Sequence, residues 1–319
     1  MAANAPEISI IVPTYREEPN LRPLLERIAA TLEGEHPARL NSGVEHSAHP
    51  NSGGGHLARL DSPTPLPAQT NTLRSADAPA DSQREPSAPS PGYEVILSDD
   101  NSQDGTEQTA AELARQYPVR LIVRTGMRDL SLAVLDGLRQ ARGRYLVVMD
   151  ADLSHPPEQI PAMLAALDTP PTDFVIGSRY VPGGRTEDWG GHRRLNSYVA
   201  TLLARPLTGR INDPMAGFFA LRRETFERAK DLKPIGYKIG LELICRCDCR
   251  HVVEIPITFQ NRVRGKSKLN FEQQARYLVH LDRLYRDYRR GWGTVVRPVL
   301  WGMLGATRVL QAGRNALRH

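Results

Sequence analysis

The chain has 319 residues, of which 40% are apolar, and a net charge of +5, so it can bury a sizeable core in one or two domains. We expect neither a transmembrane helix nor a signal peptide, because no uncharged apolar run reaches about 18 residues and the first residues combine no basic segment with an apolar one. Three clustered cysteines exclude a disulfide framework and favour a reduced, cytoplasmic protein.

The basic charge belongs to the C-terminal part of the chain. Residues 260–319 hold 13 Lys or Arg and 3 Asp or Glu, a net charge of +10, so residues 1–259 carry −5. This distribution predicts contact with an anionic membrane surface or a phosphorylated substrate. Nucleic acid is not expected, because the basic region has no recognisable binding motif and few aromatic residues among its charges.

The first half of the chain alternates strands and helices. A strand at 7–13 is apolar throughout, as in a sheet covered on both faces, and a helix follows at 19–32. Further predicted elements are a strand at 93–97, a helix to 117, a strand at 119–123, a helix near 129–141, a strand at 144–149, a helix from 156 and a strand at 173–177. This βαβ spacing predicts an α/β fold with a mostly parallel central sheet and helices on both faces.

Residues 34–92 differ in character from both flanks. They contain nine prolines and many Ser, Ala, Asn and Gly, but no aromatic residue, Ile, Met or Cys. Such a segment cannot bury enough apolar surface to offset its ordering entropy, so we predict a disordered insertion. Four of the nine histidines lie here, and their irregular spacing favours a solvated linker over a metal-binding tract.

The second half of the chain has a looser pattern. The predicted elements are a helix at 193–206, a short strand at 217–221, a helix at 239–248, strands within 251–260 and a long helix at 271–288. One domain over 1–290 is therefore expected, followed by a basic amphipathic helical tail at 291–319. The apolar stretch 295–310 is interrupted by Arg297, Pro298 and Arg308, which is consistent either with an interfacial helix at a membrane or with a helix packed on the domain.

Acidic or polar residues follow three of the predicted strands. Asp150 and Asp152 come after the strand at 144–149, Asp99 and Asp100 end another, and residues 13–17 follow the first. Carboxyl ends of parallel strands share one edge of the sheet, where α/β folds bind ligands. Paired carboxylates suit Mg²⁺ or Mn²⁺ held together with substrate phosphates. The alternative for Asp150 and Asp152 is a turn or helix cap before Pro156.

Six motifs occur in an order that resembles the family 2 glycosyltransferases, most closely the dolichyl-phosphate (polyprenyl-phosphate) mannose synthase branch. They lie at residues 12–17, 99–106, 149–157, 177–180, 213–218 and 262–269. The resemblance spans about residues 7–290 apart from the insertion. It implies a GT-A fold, which is Rossmann-like and binds nucleotide sugars, with a divalent metal, a nucleoside-diphosphate sugar donor and a lipid phosphate acceptor.

The resemblance also implies roles for individual residues. The metal and the donor diphosphate would be bound by Asp150, Asp152 and Ser154. The remainder of the nucleotide-sugar site would comprise Pro13, Tyr15, Glu17, Leu97, Asp99, Ala151 and Arg179, with Asp100 as an alternative to Asp99. The structural alternative for the acidic residues is a strand-end cap or a turn.

Acceptor binding is assigned by the same resemblance. Arg193 and Ser197 are four residues apart on a predicted helix, so they share a face and match the acceptor-phosphate pair, with Arg194 as a rival for Arg193. Arg262 and Lys268 match a basic loop over the diphosphate. These four residues and Asp152 form the predicted catalytic set. The alternative for the helix is a solvated basic face, and Asp213 and Glu242 are equally explained by structural roles.

The resulting functional prediction is an inverting, metal-dependent transfer of a hexose, mannose from GDP-mannose, onto a polyprenyl or dolichyl phosphate. Two alternatives stay open: a UDP-sugar such as UDP-glucose as donor, and a non-catalytic scaffold that binds nucleotide sugars. The lipid would be reached from the cytoplasmic face of a membrane by peripheral binding through residues 270–319, or with a membrane-protein partner.

Overall fold

The computed structural model describes residues 5–34, 92–186, 191–260, 271–288 and 290–316. Most of the predicted insertion at 34–92 lies outside these residues, as do Arg262 and Lys268. The strands of the described residues are β1 (Ile8–Thr14), β2 (Tyr93–Asp99), β3 (Val119–Val123), β4 (Tyr145–Val148), β5 (Phe174–Ser178), β6 (Arg185–Thr186), β7 (Phe219–Arg222), β8 (Val252–Pro256) and β9 (Thr258–Phe259).

Seven of these strands form the central sheet, in the order β3-β2-β1-β4-β7-β5-β8, and β6 pairs with β9 in a separate ribbon. The α-helices of the described residues are α1 (Glu18–Gly34), α2 (Thr106–Leu113), α3 (Leu130–Gln140), α4 (Ile160–Asp168), α5 (Gly191–Thr208), α6 (Arg223–Glu227), α7 (Ile239–Arg246), α8 (Phe271–Tyr288) and α9 (Arg290–Ala316).

Strand β1 lies in the middle of the sheet and is buried along its whole length, as its apolar sequence predicts. Its alternate residues face two different cores. Ile10 packs into the core that includes Leu25 of α1, whereas Ile11 packs into the core that includes Val134 of α3 and Leu243 of α7. Helices therefore cover both faces, and the predicted α/β fold is confirmed.

Strand β7 is the one antiparallel member of the described central sheet, inserted between β4 and β5. Val148 pairs with Phe219, and Ile176 pairs with the same residue on the other side. The start of β7 consequently lies at the carboxyl ends of β4 and β5. The chain that precedes β7 thus reaches the same sheet edge as the loops that follow the parallel strands.

The C-terminal helices form a third core on α5 and α7. Tyr277 and Tyr285 of α8 are buried, and their hydroxyls donate to the carbonyls of Ala200 and Leu203 on α5, at 2.6 Å each. Leu304 of α9 is buried in the same core.

The pairing of α9 with α8 extends to its polar residues. Arg297 donates to the carboxylate of Asp282 on α8 at 2.6 Å, and the indole of Trp301 donates to the same oxygen at 3.3 Å. One side of α9 nevertheless stays exposed, with Val295, Val299 and Trp301 each more than half accessible. None of the helices in the described ranges combines the length and apolarity required to cross a membrane.

Candidate active site

Asp150 and Asp152 lie directly beyond β4, where the chain leaves the sheet. The side chain of Asp150 is 27% exposed, whereas Asp152 is buried and its Oδ1 accepts hydrogen bonds from the hydroxyl of Ser154 at 2.5 Å and from its amide at 3.1 Å. Leu153, between Asp152 and Ser154, has a φ of 63°, and this left-handed conformation turns the chain so that Ser154 contacts Asp152. Ser154 therefore orients Asp152.

His155 supports the main chain of this turn. Its Nδ1 accepts the amide hydrogen of Asp150 at 3.0 Å, and its ring is stacked on Phe218 with centroids 5.3 Å apart. An accepting Nδ1 requires a lone pair, so the proton of the neutral ring is on Nε2. Burial lowers the pKa of His155 despite the nearby carboxylates, which favours this neutral form.

Gly217, just before β7, allows the chain to approach the first carboxylate. A Cβ at this position would lie 3.3 Å from Cε1 of His155 and 3.4 Å from Oδ2 of Asp150. The contact with Cε1 of His155 is tighter than most Cβ contacts, so a methyl group here would press on the His155 ring, whereas its contact with Asp150 would be ordinary van der Waals packing. The motif at 213–218 therefore has a steric reason for glycine.

Arg179, after β5, forms a bidentate ion pair with Asp213. Its Nε and Nη2 each lie 2.7 Å from a carboxylate oxygen of Asp213, which is fully buried and also accepts the amide hydrogen of Arg179. Burial lowers the pKa of Arg179, but the charge and hydrogen bonds of Asp213 outweigh that effect and raise it above its ordinary value. Asp213 therefore has a structural partner, which sequence reasoning left open.

The two neighbouring aspartates at the end of β2 have different surroundings. Asp99 is buried, and its carboxylate accepts from the hydroxyl of Thr14 at 2.8 Å and the amide of Ser102 at 2.7 Å. Asp100 instead reaches the cavity, forms an ion pair with Arg124 and accepts the amide hydrogen of Asp129 at 3.0 Å. Burial raises the pKa of Asp100, although Arg124 opposes this.

A cavity of about 660 Å³ joins these loops. It is lined by most of the predicted donor-site residues and by one predicted acceptor residue, namely Pro13, Tyr15, Glu17, Asp150, Ala151, Asp152, Arg179 and Ser197. The hydroxyl of Ser197 lies 2.8 Å from that of Tyr180, which follows Arg179. The structure thus brings together residues that are far apart in sequence.

Other predicted residues are not brought to this cavity. Of the described residues, Leu97, Asp99 and Ser154 do not line it, and all three are buried behind it. The main chain at Arg193 belongs to α5, but its side chain lies outside what the structure describes. Arg262 and Lys268 lie outside the described residues altogether, so the roles of these residues stay predictions.

Four charged residues among those described as lining the cavity were not predicted: Arg128, Asp129, Lys238 and Arg276. Asp129 caps α3 by accepting from the amide of Ser131, and it also accepts from Gly236 at 2.9 Å and Arg276 at 3.3 Å. Lys238 donates to the carbonyl of Met215 at 2.9 Å. Asp129 could have been identified from the sequence, because an aspartate at the start of the helix predicted near 129–141 is a cap signal.

The metal-binding capacity of the site depends on the two β4 carboxylates. Within the described ranges, no three His, Cys, Asp or Glu side chains are grouped as metal ligands. Mg²⁺ commonly takes only one or two protein carboxylates and completes its shell with substrate phosphates and water. The partly exposed Asp150 beside the oriented Asp152 is compatible with that mode of binding.

Comparison with known proteins gives a consistent result. A family model described as glycosyl transferase family 2 matches residues 80–229. The chain is 36% identical to the dolichol-phosphate mannosyltransferase of Pyrococcus furiosus over 308 residues, covering 95% of this chain and 70% of that protein. It is 45% identical to the dolichol-phosphate mannosyltransferase of Saccharomyces cerevisiae over 201 residues, covering 60% and 74%.

The fold is also similar to that of a solved enzyme, glucosyl-3-phosphoglycerate synthase from Mycobacterium tuberculosis, crystallised with Mn²⁺, UDP and glucosyl-3-phosphoglycerate. The TM-score is 0.51 at 17% identity, and the match covers 89% of this chain and 80% of that chain. At that identity the likeness concerns the fold alone.

Proposed function

This chain belongs to glycosyltransferase family 2, and from that membership we propose that it transfers mannose from GDP-mannose to the phosphate of a polyprenyl or dolichyl phosphate. Relatives named dolichol-phosphate mannosyltransferase, of which the chain covers 70% or more, support this choice of sugar and acceptor. The observation that carries the proposal is a single cavity that holds both Asp150 and Asp152 after β4 and Tyr15 and Glu17 after the adjacent β1.

The donor would occupy the part of the cavity at the ends of β1 and β4. Asp150 and Asp152 would hold Mg²⁺ or Mn²⁺, which when bound neutralises charge on the nucleoside diphosphate as it leaves. Ser154 keeps the buried Asp152 in position, and Tyr15 and Glu17 line the nucleoside side. Carboxylates suit ribose and base because they accept hydrogen bonds from their O–H and N–H groups.

The acceptor would approach from α5. Ser197 lines the cavity there, and Arg193 lies one helical turn earlier on the same helix. A phosphate monoester is largely dianionic near neutral pH, since its second pKa is about 6. It can therefore form the bond to the anomeric carbon as the bond to the diphosphate breaks, with inversion and without a general base. His155 is consistent with this, because its Nδ1 is engaged by the main chain.

The lipid chain would extend over the apolar side of the same cavity. Val199 and Leu203 of α5, Leu278 of α8 and Met303 of α9 line that side. The exposed apolar face of α9, together with the basic charge of the C-terminal region, supports peripheral binding to an anionic membrane surface. We accordingly propose action at the cytoplasmic face of a membrane.

Sugar transfer into an organic-extractable lipid tests the proposal. The full-length protein would receive Mg²⁺ or Mn²⁺, a polyprenyl phosphate and labelled GDP-mannose, with labelled UDP-glucose in parallel. We expect label in the lipid from GDP-mannose and at least a hundredfold loss of turnover in Asp152→Asn, on the scale of removing one preorganised electrostatic group.

Asp248→Asn is the matched control, because Asp248 is an exposed aspartate outside the cavity. Label only from UDP-glucose would retain the mechanism and change the donor. Nucleotide binding without transfer to any lipid would contradict the enzymatic proposal and favour a nucleotide-sugar-binding scaffold.

A further inference from the structure

Arg128 lies in the loop between β3 and α3, and its side chain lines the cavity. Its guanidinium carbon is 4.3 Å from the centroid of the Tyr15 ring, within the range of a cation–π contact. The side chain is otherwise exposed. Tyr15 therefore holds an exposed guanidinium at the rim of the cavity.

The other basic side chains among the described cavity residues are already engaged by protein acceptors. Arg179 is paired with Asp213, Arg276 lies 3.3 Å from Asp129, and Lys238 donates to a carbonyl. Within the described ranges, no carboxylate or carbonyl accepts a hydrogen bond from Arg128. Its donors thus line the cavity without a protein acceptor among the described residues.

The strand order separates Arg128 from the carboxylates after β4. The loop that carries Arg128 follows β3, and β2 and β1 lie between β3 and β4. With neighbouring strands about 4.8 Å apart, the ends of β3 and β4 are roughly 14 Å apart. On the proposed function, the diphosphate lies at Asp150 and Asp152, which leaves the β3 side of the cavity, where the loop of Arg128 begins, for the nucleobase end of the donor.

We propose that Arg128 is a specificity-determining residue that binds the O6/N7 edge of a guanine base. A guanidinium has donors in a planar fork and no acceptor, so it binds two adjacent acceptors better than a single one. Guanine presents O6 and N7 side by side, which is the common bidentate partner of arginine. Uracil has no such pair, because each of its carbonyls adjoins an N–H or a C–H. Arg128 therefore favours a guanine nucleotide over a uracil nucleotide.

Calorimetric titration of the full-length protein with GDP, UDP and 7-deaza-GDP, in the presence of Mg²⁺, tests this inference without any lipid. Wild-type protein is expected to bind GDP more tightly than the other two nucleotides. Arg128→Ala should weaken GDP binding by about tenfold, the scale of one bidentate arginine–guanine contact. The loss should be clearly smaller with 7-deaza-GDP, which lacks the N7 acceptor, and less than about twofold with UDP.

Arg139→Ala is the matched control, because Arg139 is exposed on α3 and outside the cavity, and its nucleotide affinities should equal those of wild type. An equal loss of GDP and UDP affinity in Arg128→Ala would identify a phosphate contact and overturn base recognition, while the donor proposal would stand. An unchanged GDP affinity would also overturn base recognition and would again leave the donor proposal standing. A wild-type protein that binds no GDP, or prefers UDP, would overturn both this inference and the GDP-mannose donor.

Discussion

Replacing Asp213 by asparagine should destabilise the protein strongly, because it removes one partner of a buried ion pair. The Asp213 side chain is fully buried, the Arg179 side chain is only 10% exposed, and both nitrogen–oxygen distances are 2.7 Å. The asparagine amide would keep one acceptor oxygen and replace the other with an NH2 group, which would face a guanidinium that can only donate. Loss of one partner from a buried pair costs about 3–5 kcal/mol, since the remaining charge is left without compensation.

Urea unfolding at pH 7, followed by tryptophan fluorescence, measures this cost. With a slope of about 3 kcal/mol per M, the midpoint of Asp213→Asn should fall by about 1–1.7 M. The control is Asp248→Asn, because Asp248 and Arg250 form an exposed pair, each side chain 76% accessible. Its free energy of unfolding should change by less than about 0.5 kcal/mol. Equal effects in the two variants, or a loss below about 1 kcal/mol in Asp213→Asn, would refute the reasoning.

Three further predictions concern the turn after β4, the contact of α9 with α8 and the exposed side of α9. Gly217→Ala should reduce sugar transfer about tenfold in the lipid assay while thermal unfolding changes little, because its Cβ would press on the ring of His155, which accepts the amide hydrogen of Asp150 and so positions that residue; unchanged turnover would contradict this. Hydrogen bonds from arginines, chiefly Arg297, outweigh burial and hold the pKa of Asp282 below its ordinary value. Asp282→Asn should therefore lower the Tm at pH 7, and the difference should disappear as the pH falls from about 4 through the depressed pKa; a difference that persists at pH 2 would count against it. Val299→Glu should weaken sedimentation with anionic vesicles and leave GDP binding intact, since Val299 is 54% exposed on α9; equal sedimentation would argue against that face as the membrane contact.

The central fold was predictable because its strands are continuous apolar runs. β1 is buried at all seven positions, and its flanking helix presents leucines at helical spacing, so periodicity alone identifies both. The direction of β7 was not predictable. Four residues, Phe219–Arg222, carry no periodic signal for strand direction, and their antiparallel pairing with β4 and β5 is set by contacts distant in sequence.

The site was predictable as a set of strand ends and less so as individual side chains. Adjacent residues at a strand end point to opposite sides, so the choice between Asp99 and Asp100 depends on partners elsewhere. Thr14 and Ser102 engage Asp99, whereas Arg124 lies beside Asp100. None of these contacts follows from local spacing. The role of Asp99 in ribose binding stays a prediction, as do those of Arg262 and Lys268.

The reversed direction of β7 gives the cavity one wall that is encoded apart from the ends of the parallel strands. Residues 13–15, 17, 100, 128–129 and 150–152 lie at or after the ends of parallel strands, whereas the wall that includes Ser197, Met215 and Gly217 belongs to one excursion between β5 and β7. That excursion leaves and re-enters the sheet at the same edge. Its length and composition can therefore vary without altering the register of β1, β2 or β4. On the proposed function, such an arrangement lets a protein of this architecture acquire a new acceptor while retaining its sugar donor, and an exchange of residues 180–218 between relatives is the corresponding route for engineering.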